Sequence, residues 1–186
     1  MRIVAGQFKG RPIAAPKTAA TRPTSDRARE SLFNMIAHAA WAPPLDGAKV
    51  IDLFAGSGAL GLEALSRGAA FSLFVENAHA ACSTIRKNIE ALGVGKQARL
   101  HRRSAVDLGP RPDAIPTPFD LAFLDPPYHK GLVEPCLEAL VAGEWLSLDA
   151  LIVVETASEE TPGFEGFERV SERQSGAARF WFLTRS

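Results

Sequence analysis

Asp125-Pro126-Pro127-Tyr128 follows the apolar run Phe119 to Leu124 and carries the most specific chemistry in the chain. Two successive prolines fix the backbone and remove two N–H donors, which leaves carbonyl oxygens exposed to a ligand. Asp125 and those carbonyls can accept hydrogen bonds from an exocyclic amine. Tyr128, the only tyrosine, can stack on a flat base, an interaction typically worth ~1–3 kcal/mol. An amine conjugated with a ring is a weak nucleophile because its lone pair is delocalised. Acceptors around its N–H groups favour the pyramidal form that attacks an electrophilic carbon, and positioning and local electrostatics then provide most of the rate. The bland alternative is a rigid loop with an incidental aromatic.

A second constellation lies upstream. Val50-Ile-Asp52-Leu-Phe54-Ala-Gly56-Ser57-Gly58-Ala-Leu-Gly61 reads as a buried parallel strand running into a glycine turn and a helix. Gly56 and Gly58 allow backbone close to a ligand, and Gly61 lets the helix pack against the strand. The helix N-terminus faces whatever occupies the turn. Asp52 is a carboxylate at the end of an apolar strand, so it either caps the turn or faces a cation. Glu76 stands 20 positions after Gly56, where a carboxylate can accept both ribose hydroxyls of an adenosine. That spacing suits a nicotinamide dinucleotide or S-adenosylmethionine equally. The Asp-Pro-Pro-Tyr segment decides for the second, whose sulfonium and ammonium are cationic.

The elements that position these residues form a strand–helix alternation from residue 49 onward. Strands are expected at 49–54, 71–75, 98–101, 119–124 and 150–155, with helices at 59–67, from Asn77 (as cap) to Gly93, and at 131–142. Segments 167–173 and 178–184 flank Ser175-Gly176 and read as an antiparallel hairpin. The fold class is α/β, a doubly wound sheet that is mostly parallel. Ahead of it, Ile3 to Ala5 and Pro12 to Ala14 flank a turn of glycines and basic residues. A loop from Lys17 to Thr24 and a helix capped by Thr24 or Ser25 follow. Residues 1–40 are thus expected as a basic extension, and 41–186 as the main domain.

The 46% apolar and 23% charged content is that of an ordinary soluble globular protein. No run is long enough to span a bilayer. Cys82 and Cys136 read as reduced structural thiols, which suggests the cytoplasm. The four histidines have no ligand spacing, so no metal is expected. The zero net charge hides an asymmetry. Residues 1–30 hold seven Lys/Arg against two acids, and residues 131–172 hold ten acids against Arg169. A basic end on a neutral protein suggests one face for a polyanion, with a merely solvated tail as the competitor.

Three stretches carry a resemblance to a known family. They are Gly6-x-x-x-Gly10-Arg11, then Arg22-Pro23-Thr24-x-Asp26-Arg27-x-Arg29-Glu30-x-Leu32-Phe33-Asn34, and Asp52 through Arg67. With Glu76 and Asp-Pro-Pro-Tyr they resemble the RsmD family of class I, Rossmann-like methyltransferases, over nearly the whole chain. The resemblance implies S-adenosylmethionine as cofactor and the exocyclic N2 amine of a guanine in bacterial 16S rRNA, free or in the small ribosomal subunit, as substrate. It implies a monomer. Asp52, Phe54, Gly56, Ser57 and Gly58 would hold the methionine end, and Glu76 and Asn77 the ribose. Ser104 and Ala105 would lie by the adenine. Ser104 departs from the family's frequent Asp or Asn, which shifts weight to the main chain at Ala105. Asp125, Pro126, Pro127 and Tyr128 would be catalytic, with Asp125 also touching the cofactor. Arg2, Arg11, Arg22, Arg27 and Arg29 would meet rRNA phosphates, or the Arg22 loop would close over the site. Lys96, Arg99, Arg102 and Arg103 read as solvated surface. The rival readings are a DNA adenine N6 methyltransferase, a non-catalytic RNA-binding assembly factor and a nicotinamide oxidoreductase.

Overall fold

The computed structural model describes residues 1–15, 25–115 and 117–186. The elements run α1 (Asp26–His38), β1 (Lys49–Leu53), α2 (Ala59–Ser66), β2 (Phe71–Val75), α3 (His79–Leu92) and β3 (Ala98–His101). They continue with β4 (Phe119–Leu124), α4 (Val133–Ala142), β5 (Leu146–Ala157), β6 (Phe167–Ser175) and β7 (Ala178–Arg185). The seven strands lie in the order β3-β2-β1-β4-β5-β7-β6. Pairings are parallel from β3 to β5, and β7 is antiparallel to both β5 and β6. The order reverses between β1 and β4, so a crevice opens at their carboxyl ends.

Alternation along the strands divides the interior into two cores. Val50, Phe74, Leu121, Phe123, Leu151 and Val153 face α1, α2 and α3. Ile51, Leu53, Val75, Ala122, Leu124, Ile152 and Val154 face α4 and Trp145. Residues 1–15 share the first core, with Ile3 and Ile13 fully enclosed. The hairpin there pairs Arg2 with Pro12 in an antiparallel bridge, and Ile3 with Arg11, Gly10 with Ile3 and Ile13 with Met1 through backbone hydrogen bonds.

The expected boundaries shift where backbone geometry overrides the apolar pattern. β1 stops at Leu53 because Phe54 takes φ +58°. α4 starts at Val133, after Gly131 at φ +58°. β5 begins at Leu146 rather than 150, because Leu146 already pairs with Phe119 ahead of a register shift. Exposed Leu148 and Asp149 hide that start. α3 is capped by Ala78, not Asn77, since the Glu76 carboxylate takes the Asn77 and Ala78 N–H groups itself. Ser25 does cap α1, its side chain accepting from the Ala28 N–H. Of the expected features, Lys17 to Thr24 and Pro116 lie outside the described residues. Gly61 meets β2 rather than β1: a Cβ there would stand 2.4 Å from Phe74 and 2.5 Å from Ser72.

One buried ionic knot fastens the extension to the sheet. The Glu63 carboxylate on α2 accepts the Val4 and Ala5 N–H groups at 2.9 and 3.0 Å. It also pairs with Arg67 at 2.8 Å and Arg29 at 3.6 Å. Both Arg29 and Glu63 are 0% exposed. Breaking such a group on one side leaves buried charge uncompensated. Glu63→Ala is therefore expected to lower the unfolding free energy by about 3–5 kcal/mol, measured by urea denaturation; a loss under about 1 kcal/mol would show a slack knot.

Candidate active site at the carboxyl edge of the sheet

Asp52 ends β1 inside the protein. Its Oδ2 accepts the Gly61 N–H at 2.9 Å, so the carboxylate does cap α2, whose N-cap Gly58 offers no side chain. Burial pushes the carboxyl up to about 8. The Gly61 hydrogen bond opposes that shift and nearby Glu76 adds to it. Between β1 and α2 the chain turns through Phe54, Gly56 and Gly58, all at positive φ. The left-handed conformation costs a residue with a Cβ roughly 1–2 kcal/mol, so half-buried Phe54 carries strain at the mouth of the turn.

Glu76, at the end of β2, stitches that turn to α3. Its Oε2 accepts the Gly56 N–H at 2.9 Å, and its Oε1 accepts the Asn77 and Ala78 N–H groups at 2.8 and 2.9 Å. Asn77 is exposed beside it. Ser57 is buried, and its carbonyl accepts the Asn88 side-chain N–H at 2.9 Å. The same Asn88 amide pairs with both the N–H and the carbonyl of Ala14, so the amino-terminal hairpin and the glycine turn share an anchor. Half-buried Ser104 and buried Ala105 follow β3 at the same edge.

Across the strand-order reversal, Asp125 leaves β4 with its N–H 3.5 Å from the Leu53 carbonyl. It is half-buried, and burial, Glu155 and Asp52, in that order, hold its carboxyl well above the usual range. Pro126 is buried and Pro127 exposed. The Tyr128 hydroxyl donates to Glu155 Oε1 at 2.7 Å. His129 follows at φ +59°, and its N–H donates to Glu160 Oε1 at 2.8 Å. Pro126, Pro127, Leu132, Glu155 and Thr156 line a cleft of roughly 180 Å³, room for one flat heterocycle.

The expected basic contacts separate into groups. Arg2 has a side chain 70% exposed, 3.6 Å from Asp26. Arg27 is exposed. Arg11 is exposed at its edge but already donates to the Ala91 carbonyl and lies over the Phe8 ring. Arg29 is corrected: it lies in the Glu63 knot and also donates to Asp26 and the Arg2 carbonyl, so it meets no phosphate. Arg22 lies outside the described residues. Arg99 and Arg103 donate to the Ala114 and Asp107 carbonyls. Glu155, Glu160 and Asn88 were missed from sequence. For Glu155 a signal existed, since a carboxylate at the end of Leu151 to Val154 repeats the Asp52 pattern.

Among the described residues no group of three His, Cys, Asp or Glu has metal-holding geometry, and no helix is long and apolar enough to cross a membrane. The family model described as conserved hypothetical protein 95 matches residues 1–184. Ribosomal RNA small subunit methyltransferase D of Escherichia coli K12 is 40% identical over 159 residues, covering 86% of this chain and 76% of that protein. The Haemophilus influenzae protein of the same name is 35% identical over 184 residues, covering 97% and 91%. Among solved structures, Escherichia coli yhhF superposes with TM-score 0.81 at 36% identity, over 100% of this chain and 98% of that one. Haemophilus influenzae HI0767 gives 0.78 at 30%, over 99% and 97%. With the family model spanning residues 1–184 and relatives of this identity covering most of its length, the chain belongs to the RsmD family of methyltransferases.

Proposed function

We propose that this chain transfers a methyl group from S-adenosylmethionine to the exocyclic N2 amine of a guanine in small-subunit rRNA. The observation that carries the reading is a site of acceptors: Asp125, the carbonyls before two prolines, and buried Asp52 meet at the carboxyl edge. The ribosomal substrate is supported by the names of the relatives.

The residues present fit the cofactor. Asp52 is a buried carboxyl raised by burial and by a second carboxylate, a setting that a cation relieves. Asp52, Phe54, Gly56, Ser57 and Gly58 would hold the methionine end, Glu76 and Asn77 the ribose, and Ser104 and Ala105 the adenine. S-adenosylmethionine supplies, when bound, an electrophilic methyl on a sulfonium. Everything else falls to the chain. The cleft lined by Pro126 and Pro127 would take a base drawn from its stack, with Tyr128, next along the chain and bonded to Glu155 of the lining, available to stack on it. Asp125 and the adjoining carbonyls accept the amine hydrogens and keep its lone pair aimed. Arg2, Arg11, Arg22 and Arg27 would take the phosphates, a contact that is salt-dependent.

The test is methyl transfer from labelled S-adenosylmethionine to small subunits lacking the modification, followed by digestion to nucleosides. N2-methylguanosine is expected; methylated adenosine would point to the adenine N6 rival, no transfer with the cofactor still bound would move the assay to naked rRNA and then DNA, and loss of cofactor affinity would support the assembly-factor reading. Asp125→Ala is expected to keep cofactor affinity within about threefold and to reduce transfer by at least about a hundredfold, measured by calorimetry and single-turnover kinetics. Equal loss of both would assign Asp125 to the cofactor.

The raised Asp52 carboxyl has a signed consequence. Its folded pKa, about 8, exceeds the ordinary value of an unfolded aspartate, so the folded state holds a proton that the unfolded state has released. Stability from this group is full below the unfolded pKa and declines as pH rises toward 8. Asp52→Asn keeps an acceptor for the Gly61 N–H and removes that slope. Its Tm advantage over the parent, without ligand, should grow between pH 5 and pH 8, while cofactor affinity falls. A pH-independent difference would place the proton elsewhere.

A further inference from the structure

Glu155 closes an otherwise apolar stretch of β5 and is 7% exposed. It accepts a short O–H···O hydrogen bond from the Tyr128 hydroxyl at 2.7 Å. It lines the same cleft as Pro126 and Pro127. From the next turn, Glu160 accepts the N–H groups of both His129 and Ala157 at 2.8 Å. The loop that carries Asp125 to Tyr128 is therefore gripped by β5 and its turn, through a ring hydroxyl and through the backbone. That grip holds His129 in its left-handed conformation, which surrounding structure must maintain.

We propose that Glu155 is a positioning residue for the transfer reaction: it fixes the Tyr128 ring as the wall of the base site and conditions Asp125 as a proton acceptor. The inference rests on the reading of this cleft as the base site. As the amine nitrogen gains its bond to the methyl carbon, the carbon–sulfur bond breaks with its electron pair left on sulfur, and the nitrogen gives up one N–H proton, for which Asp125 in its ionised form would be the acceptor. The charges acting on Asp125 come from Glu155 on β5 and Asp52 on β1, with Glu76 on β2 acting in turn on Asp52. Glu155 is the larger of the two direct influences. A negative neighbour makes the acceptor more basic.

Three variants separate the two roles. Glu155→Ala removes the acceptor and the charge, Glu155→Gln keeps an acceptor without the charge, and Tyr128→Phe removes the donor. As Tyr128 is the only tyrosine, its Cζ carbon gives one resonance in protein labelled with ¹³C-tyrosine, readable without cofactor or RNA. That resonance is expected to move in Glu155→Ala and to return close to its original place in Glu155→Gln. In methyl transfer, Glu155→Ala should raise KM for RNA about tenfold, and adding Tyr128→Phe should make it no worse, as for partners in one contact. Glu155→Gln should recover KM while the acid limb of the pH–rate profile moves to lower pH. An unmoved resonance, additive losses, or an unmoved acid limb would each overturn the proposal. A parent protein that transfers no methyl would instead overturn the functional reading, and the inference with it.

Discussion

Carboxyl groups crowded at one edge of the sheet are the constraint on which the site depends. Asp52, Asp125 and Glu155 stand at or just beyond the carboxyl ends of β1, β4 and β5, with Glu76 at the end of β2. Each charge that acts on Asp52 or Asp125 raises it. Such an edge is unfavourable on its own, and backbone donors only partly relieve it: Gly61 for Asp52, and Gly56, Asn77 and Ala78 for Glu76. Holding a proton relieves part of the remainder, as the raised Asp52 and Asp125 carboxyls show, and on the proposed reading a bound cation and a set of N–H donors would relieve more. Those are the two things a methyl-transfer site for a base amine must receive.

The parallel sheet makes this crowding possible and also bounds it. Strands covered on both faces are apolar along their length, so polar groups collect where the chain leaves the sheet. The reversal between β1 and β4 separates the loops there and opens the crevice. The helix face of the first core then fixes the loop geometry. Gly61 lets α2 approach Phe74 and Ser72, which brings the Gly61 N–H to Asp52. Asn88 ties Ser57 to Ala14, so the glycine turn is braced by a segment from the far end of the sequence. The Glu63 knot holds that segment down. The extension is therefore part of the frame of the site as well as a carrier of charge.

Much of this was legible in residue order. β2 and β4 show clean apolar runs, and the glycine turn and Asp-Pro-Pro-Tyr have turn chemistry that few other contexts require. The illegible part has one physical cause. Arg29 falls on the buried stripe of α1 with Leu32, Phe33 and Ile36, and Asn88 falls on that of α3 with Ala81, Cys82, Ile85 and Leu92. A charged or amide side chain on such a stripe costs free energy unless partnered, so its position announces a partner without naming it. Arg29 finds Glu63, 34 residues away, and Asn88 finds Ala14 and Ser57, 74 and 31 residues away. Periodicity sees neighbours along one element. It cannot see across the fold, and so Arg29 was grouped with the exposed arginines of its own segment.

The charge asymmetry completes the physical picture on the proposed reading. Ten acids lie in 131–172, including Glu155 and Glu160 beside the cleft, while basic residues dominate 1–30. An acidic rim repels phosphate, and at physiological ionic strength that repulsion reaches about 8 Å. A strand of RNA is then held by its backbone along the basic end, with only an uncharged base free to cross the acidic rim. Net neutrality, which in composition alone looks uninformative, is the sum of two opposite fields. Their separation selects which part of a polyanion enters.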